Sequence, residues 1–172
     1  MDISKTEEPT KDSSQPSTTP NGFGQGVNNY LNHYITVADA KAVAILTGAF
    51  AILAATIEFN SNCCLFKIGV VLTFALNTLT IFFCLWTLYP RLGNSGKGLI
   101  FWESIRANST PEEYSNKVNK LNNQLAEEEY AHQNWYVSLI LKQKNEKIRT
   151  SLWFFGLSTL SIATLYLLKN LL

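Results

Sequence analysis

Residues 68–90, IGVVLTFALNTLTIFFCLWTLYP, decide the fold. From Ile68 to Tyr89 the run carries no charge, and Pro90 stops it. At ~1.5 Å per residue it is long enough to cross the ~30 Å hydrocarbon core of a bilayer as a helix. Two further apolar blocks flank it. Upstream, Ala42 to Ile57 is closed by Glu58 and the polar Asn60, Ser61 and Asn62. With Lys41 and Phe59 included it reaches ~27 Å, a short but sufficient span. Downstream, Leu152 to Leu168 follows a basic cluster and precedes only Lys169, Asn170, Leu171 and Leu172. The expected architecture is an all-α membrane protein with three transmembrane helices, at about 42–59, 68–89 and 152–170, and a helical cytoplasmic segment over 90–151 between the second and third.

Distribution rather than content makes this case. An apolar fraction of 47% with 16% charged residues is ordinary, but here the apolar residues are gathered into uninterrupted blocks. Residues 1–28 are rich in Ser, Thr, Pro, Gly and Asn and have almost nothing to bury, so they read as a disordered polar tail before a membrane domain over 29–172. A net charge of +1 gives no basic field for nucleic acid, so that partner is excluded. Three cysteines and two histidines form no cluster at ligand spacing, so neither a structural metal nor a cofactor is expected. The cysteines read as small packing or loop residues. No nucleophile-and-base arrangement, paired carboxylates or phosphate-cradling glycine loop emerges, so the expectation is a protein that is not an enzyme.

Between Pro90 and Ser151, Gly93 to Gly96 make a turn and Leu99 to Ile105 form a short apolar stretch. Thr110 as N-cap, Pro111 at the first helical position and Glu113 as capping-box partner then predict the start of a long helix. Tyr114, Val118, Leu121, Leu125, Trp135 and Leu139 fall on a heptad seam, with Glu128 and His132 at its two polar positions. With no Gly or Pro before Gly156, this helix is expected to run unbroken into the third span. The run Glu127 to Glu129 reads as a solvated face. Of the fourteen Lys and Arg residues, all but Lys67 and Lys169 lie on the side of the tail and the 90–151 segment. The positive-inside rule places that side, N-terminus included, in the cytoplasm, with the spans in a bacterial inner membrane.

Three sets of residues are functional candidates. Ala40, Ala44 and Gly48 recur every four residues, a spacing that lets helix backbones approach closely. They read either as an assembly face for a homo-oligomer or as packing against the protein's own spans. Thr73, Asn77 and Thr80, continued by Cys84 and Thr87, form a polar stripe that faces other helices or water. Asp39, Lys41, Arg91, Lys144 and Arg149 come to one level at the cytoplasmic mouths of the spans, an electropositive rim for an anionic ligand or lipid headgroups.

Several short runs resemble one family. Val37-Ala38-Asp39-Ala40-Lys41-Ala42, Tyr89-Pro90-Arg91-Leu92, Leu99 to Ile105, Glu112-Glu113-Tyr114, and Lys144 followed by Ile148-Arg149 look like the transmembrane Pycsar effectors in order and spacing. Trp102 and Glu103 depart from that pattern. The resemblance implies a membrane effector of an antiphage system that answers cyclic UMP or cyclic CMP, made by a paired cyclase, by impairing the inner membrane in an abortive infection. Its partners would be that nucleotide, membrane lipid and further copies of itself. The cytoplasmic part is too short and too helical for a β-roll nucleotide domain, so any nucleotide would meet the helical segment or the rim. The alternative is a non-enzymatic membrane scaffold that docks a partner through its coiled-coil-like helix.

Overall fold

The computed structural model describes residues 22–59, 64–89 and 98–171. Those residues form five helices in chain order and no strand: α1 (Phe23–Ile57), α2 (Cys64–Leu88), α3 (Trp102–Arg106), α4 (Pro111–Val118) and α5 (Asn123–Leu171). The all-α, three-span architecture is therefore as the sequence implies. α1, α2 and α5 are each long and apolar enough to cross a membrane.

Their lengths are unequal. α2, with 25 residues, is ~37 Å long, little more than the hydrocarbon thickness. α1 has 35 residues and α5 has 49, or ~52 and ~73 Å. Both continue past the end of α2 on the same side, because they run parallel. Glu127 bonds to Gly24, Asn134 to Asn28 and Lys144 to Asp39, at sequence separations of 103, 106 and 105. The result is a three-helix bundle at membrane depth that becomes a two-helix stalk beyond it.

The packing follows heptads on all three helices. On α5 the buried residues Val137, Lys144, Ile148, Ser151, Ser158 and Leu165 alternate by three, four and seven. On α1 Ala38, Ala42, Ile45, Ala49 and Thr56 do the same, and on α2 Phe66, Thr73, Asn77, Thr80, Cys84 and Thr87. A 3.5-residue repeat keeps each seam facing its partners along a left-handed bundle.

Polarity is inverted relative to a water-soluble bundle. The largest side chains with no exposure are Asn77, Thr73, Thr80, Thr87, Cys84, Ser151 and Ser158, while Phe74, Phe82, Leu85, Trp153 and Leu160 lie exposed. In water such an apolar surface would drive aggregation. In hydrocarbon it is solvated, and small or hydroxylated residues let the helices approach.

The structure revises four expectations. α1 begins at Phe23, inside the stretch assigned to the tail; residues up to 21 lie outside the described ones. The helix starting at Thr110 is not continuous with the third span. Thr110 accepts from Glu113 N–H at 3.2 Å as foreseen, and Glu113 accepts from Ser109 N–H at 2.9 Å. However, α4 ends at Val118, and Asn122 restarts the chain by accepting the Leu125 N–H at 2.8 Å. From Asn123 onward α5 does run unbroken into the membrane. Third, the expected seam faces outward: Leu125, Trp135 and Leu139 are exposed, as are Glu128 and His132. The true seam lies two positions away, on Glu127, Tyr130, Asn134, Val137 and Leu141. Glu127 and Asn134 find polar partners on α1, so a tally of apolar residues passes them over. Fourth, Glu127 and Glu129 are not a solvated face; both accept backbone hydrogen bonds.

Candidate functional site: a polar core and its lysine latch

α5 presents Lys144 to the interior where α2 ends. Its side chain is 9% exposed and that of Asp39 38%. The ammonium donates to Asp39 Oδ1 of α1 and to the Thr87 carbonyl of α2, the latter at 3.1 Å. Thr87 lies in the last turn of α2, whose carbonyls have no partner further along the helix. One cation thus pairs with a carboxylate, caps a helix C-terminus and joins all three spans at one level. A buried lysine without a counter-charge is strongly disfavoured, so Asp39 is what permits this arrangement.

The expected rim is therefore partly consumed. Asp39 and Lys144 meet each other, Lys41 and Arg149 are exposed, and Arg91 lies outside the described residues. Lys147, one of the basic cluster before the third span, sits 4.1 Å from the centre of the Trp86 ring.

Below the latch lies the polar stripe. Thr73, Asn77 and Thr80 are fully buried, together with Ser151 and Ser158 from α5. Most of these hydroxyls bond within their own helix: Thr73 to Gly69, Thr80 to Leu76, Ser151 to Ile148 and Ser158 to Phe155, at 2.8 to 3.0 Å. The cross-helix bonds at this depth include the Thr73–Ser161 hydroxyl pair at 2.6 Å and Asn77 Nδ2 to the Ala49 carbonyl at 2.7 Å, and the Cys84 thiol of α2 also pairs with the Ser151 hydroxyl. Asn77 Oδ1 is buried without a partner, a costly state at bilayer depth. The interior is polar yet lightly cross-linked.

The small-residue triplet divides. Ala40 and Ala44 are exposed, whereas a Cβ at Gly48 would come within 2.9 Å of the Phe155 ring of α5. The small residues that do line the intramolecular seam are Ala38, Ala42 and Ala49, two positions away or one.

At the stalk tip, Glu127 accepts the Gly22 and Gly24 N–H groups at 2.8 and 2.7 Å, supplying the cap that α1 lacks locally. Asn134 accepts from Asn28 and donates to the Gly24 carbonyl. A Cβ on Gly24 would lie 2.6 Å from Tyr130 Cβ, so this contact requires glycine. Glu129 accepts the Leu99 N–H and Tyr114 donates to the Leu99 carbonyl, fastening the segment before α3 to the stalk. A groove of about 460 Å³ beside the tip is lined by Phe23, Val27, Glu127, Glu128 and Asn134, with two carboxylates and no cation. Its sign is wrong for an anionic ligand. Among the described residues no group of three His, Cys, Asp or Glu is placed to hold a metal.

A bundle with apolar exterior, polar interior and three crossing helices defines a small multi-pass membrane protein. Residues 25–169 match the Pycsar effector protein domain, and the chain belongs to that family of antiphage effectors. It is also 34% identical over 128 residues to the Pycsar effector protein SaPycTM of Staphylococcus aureus, covering 70% of this chain and 78% of that one. No solved structure matches it. Membership of this family implies a cyclic-nucleotide signal from a cyclase.

Proposed function

We propose that this protein is a non-catalytic inner-membrane effector that answers cyclic UMP or cyclic CMP from a paired cyclase by separating its three spans and impairing the membrane. The stalk and the N-terminus face the cytoplasm in this reading, as the distribution of Lys and Arg favours. The observation that carries it is the polar, lightly cross-linked interior held shut at one end by Lys144. Hydroxyls bonded within their own helices lose nothing when helices part, and water entering would supply Asn77 Oδ1 with the donor it lacks. Exposed Lys41 and Arg149 flank the latch and are the cations that receive the nucleotide's phosphate. A ligand that binds the parted state more tightly shifts the population toward it, and only by that difference.

The outward face of the stalk, with Leu125, Trp135 and Leu139, supports assembly of several copies. The same face favours a second reading, in which the protein is a scaffold that docks a partner helix there.

Membrane-potential dye in cells separates the two readings. The effector depolarises cells that co-express an active pyrimidine cyclase and spares those with an inactive one. A scaffold, verified in the membrane, is silent in both, and depolarisation in both would exclude gating.

A further inference from the structure

The end of the bundle opposite the latch carries a second charged feature that the gating reading leaves unused. Glu58 is the C-cap of α1, its N–H bonded to the Ala55 carbonyl while the Phe59 N–H bonds to that of Thr56. A carboxylate there faces the negative end of the helix dipole, which disfavours it unless a cation sits nearby. No cation among the described residues pairs with it. Lys169, in the last turn of α5, holds its ammonium 5.4 Å from the centre of the Phe59 ring and is likewise without a carboxylate among the described residues.

Both charges line one groove of about 580 Å³ between α1 and α5, whose remaining walls include Ala55, Ile162 and Leu167. Lys169 lies 25 residues beyond Lys144 on one continuous helix, or ~37 Å, so it stands at headgroup level when the latch stands at the other membrane face. An apolar groove at this depth opens onto acyl chains. Its rim offers one positive and one negative group, each lacking a counter-ion among the described residues.

We propose that this groove binds a zwitterionic phospholipid with a primary-amine headgroup, the phosphate on Lys169 and the ammonium on Glu58 and the α1 C-terminal carbonyls. The complementarity selects against both other common headgroup types. Phosphatidylglycerol satisfies Lys169 and leaves Glu58 at the helix C-terminus without a cation. Phosphatidylcholine brings the positive charge but has no N–H to donate. A free phosphate has no chain for the apolar walls.

The test is lipid retention by the full-length protein, purified in detergent and read by native mass spectrometry. The protein is titrated in turn with phosphatidylethanolamine, phosphatidylcholine and phosphatidylglycerol. Phosphatidylethanolamine is expected to be held about tenfold more tightly than the other two, the order of one charge-assisted hydrogen bond. Glu58→Gln and Lys169→Gln should each abolish that preference. Lys169→Arg, which keeps the cation, should retain it, and Lys67→Gln, exposed at the same end of α2 but outside the groove, should leave it unchanged. Equal retention of the three lipids by the natural protein overturns the proposal. So does an undiminished preference in Glu58→Gln or Lys169→Gln, or a loss in Lys169→Arg as large as in Lys169→Gln, which would mark packing rather than charge.

Discussion

α1 and α5 form one continuous parallel pair, yet its two halves are held by opposite means. In the stalk the pair is stitched across the seam: Glu127 to Gly22 and Gly24, Asn134 to Gly24 and Asn28. At membrane depth α1 turns Ala38, Ala42, Ile45 and Ala49 inward, α2 joins the pair, and most buried hydroxyls of α2 and α5 bond within their own helices. Helix geometry is the same in both; the solvent differs. Water competes for exposed polar groups, so a stalk needs cross-helix bonds with specific geometry. Hydrocarbon does not compete, so self-satisfied hydroxyls suffice for burial and leave the spans free to part. In the proposed reading the stalk is the fixed half and the membrane bundle the adjustable one, with the Lys144 latch at their junction.

Breaking that junction gives the largest expected effect. Asp39→Asn leaves Lys144 in the interior without a counter-charge. Loss of one partner of a fully buried pair costs about 3–5 kcal/mol, and partial exposure of Asp39 lowers this to about 1–3 kcal/mol. Asp39→Asn should depolarise cells in the absence of any cyclase. Asp39→Asn combined with Lys144→Met removes both charges and should restore quiescence. A double variant as active as the single one would show that the ion pair is not the latch.

On the stalk side, Gly24→Ala forces a Cβ to within 2.6 Å of Tyr130 and displaces the Glu127 cap. Overpacking of this kind costs about 1–3 kcal/mol. The stalk should fray, seen as faster amide exchange in residues 23–35 and 123–137, while exchange in α2 is unchanged. Faster exchange in α2 as well would mean that stalk and bundle are one cooperative unit, contrary to the contrast drawn above.

How far the sequence disclosed this contrast depends on the element. Three spans, their order and the continuity of α5 follow from uncharged apolar runs and the absence of Gly or Pro before Gly156. Lys144 and Asp39 could be placed at one level from span ends alone. Their pairing could not, because it depends on α1 and α5 running parallel in a fixed register, and that register is set by Glu127, Asn28 and Asn134. For the same reason the heptad on Leu125, Trp135 and Leu139 does not reveal whether its partner lies within the chain or outside it. Apolar spacing marks every stripe that avoids water, inward or outward, and only polar pairs across the seam tell them apart. Alanines at 38, 40, 42 and 44 are equally mute about which face is buried, since small residues occupy both. The break at Asn122 is legible in principle as an N-cap residue, but the stronger start signals at Thr110 and Pro111 mask it.

A smaller effect is expected at Asn77. Asn77→Leu removes both the orphaned oxygen and the bond to Ala49, changes that nearly cancel in the closed bundle and shift stability by less than about 1 kcal/mol. The parted, hydrated state loses its only amide at this depth among the described residues of α2. The cyclase-dependent depolarisation should therefore weaken while thermal unfolding in detergent barely moves. Undiminished depolarisation would take Asn77 out of the hydrated path.

The smallest effect is expected outside the spans, at the start of α4. Lys117 hydrogen-bonds Glu113 at 2.8 Å and the Ser109 N–H adds a second bond, and together they hold its carboxyl below the usual carboxylate range. A carboxyl whose folded value is depressed contributes stability that is fully present above its unfolded value and is lost as pH falls through the folded one. Both partners are solvent-exposed, so the contribution is small and screened by salt. Glu113→Gln should therefore leave dye uptake and global unfolding unchanged at neutral pH, and should speed amide exchange in Pro111–Val118 alone. Acidification should speed exchange there in the natural protein and have little further effect in Glu113→Gln. If the variant also altered depolarisation, α4 would be coupled to the latch through Tyr114 and the Leu99 carbonyl, and the fixed half of the molecule would extend beyond the two-helix stalk.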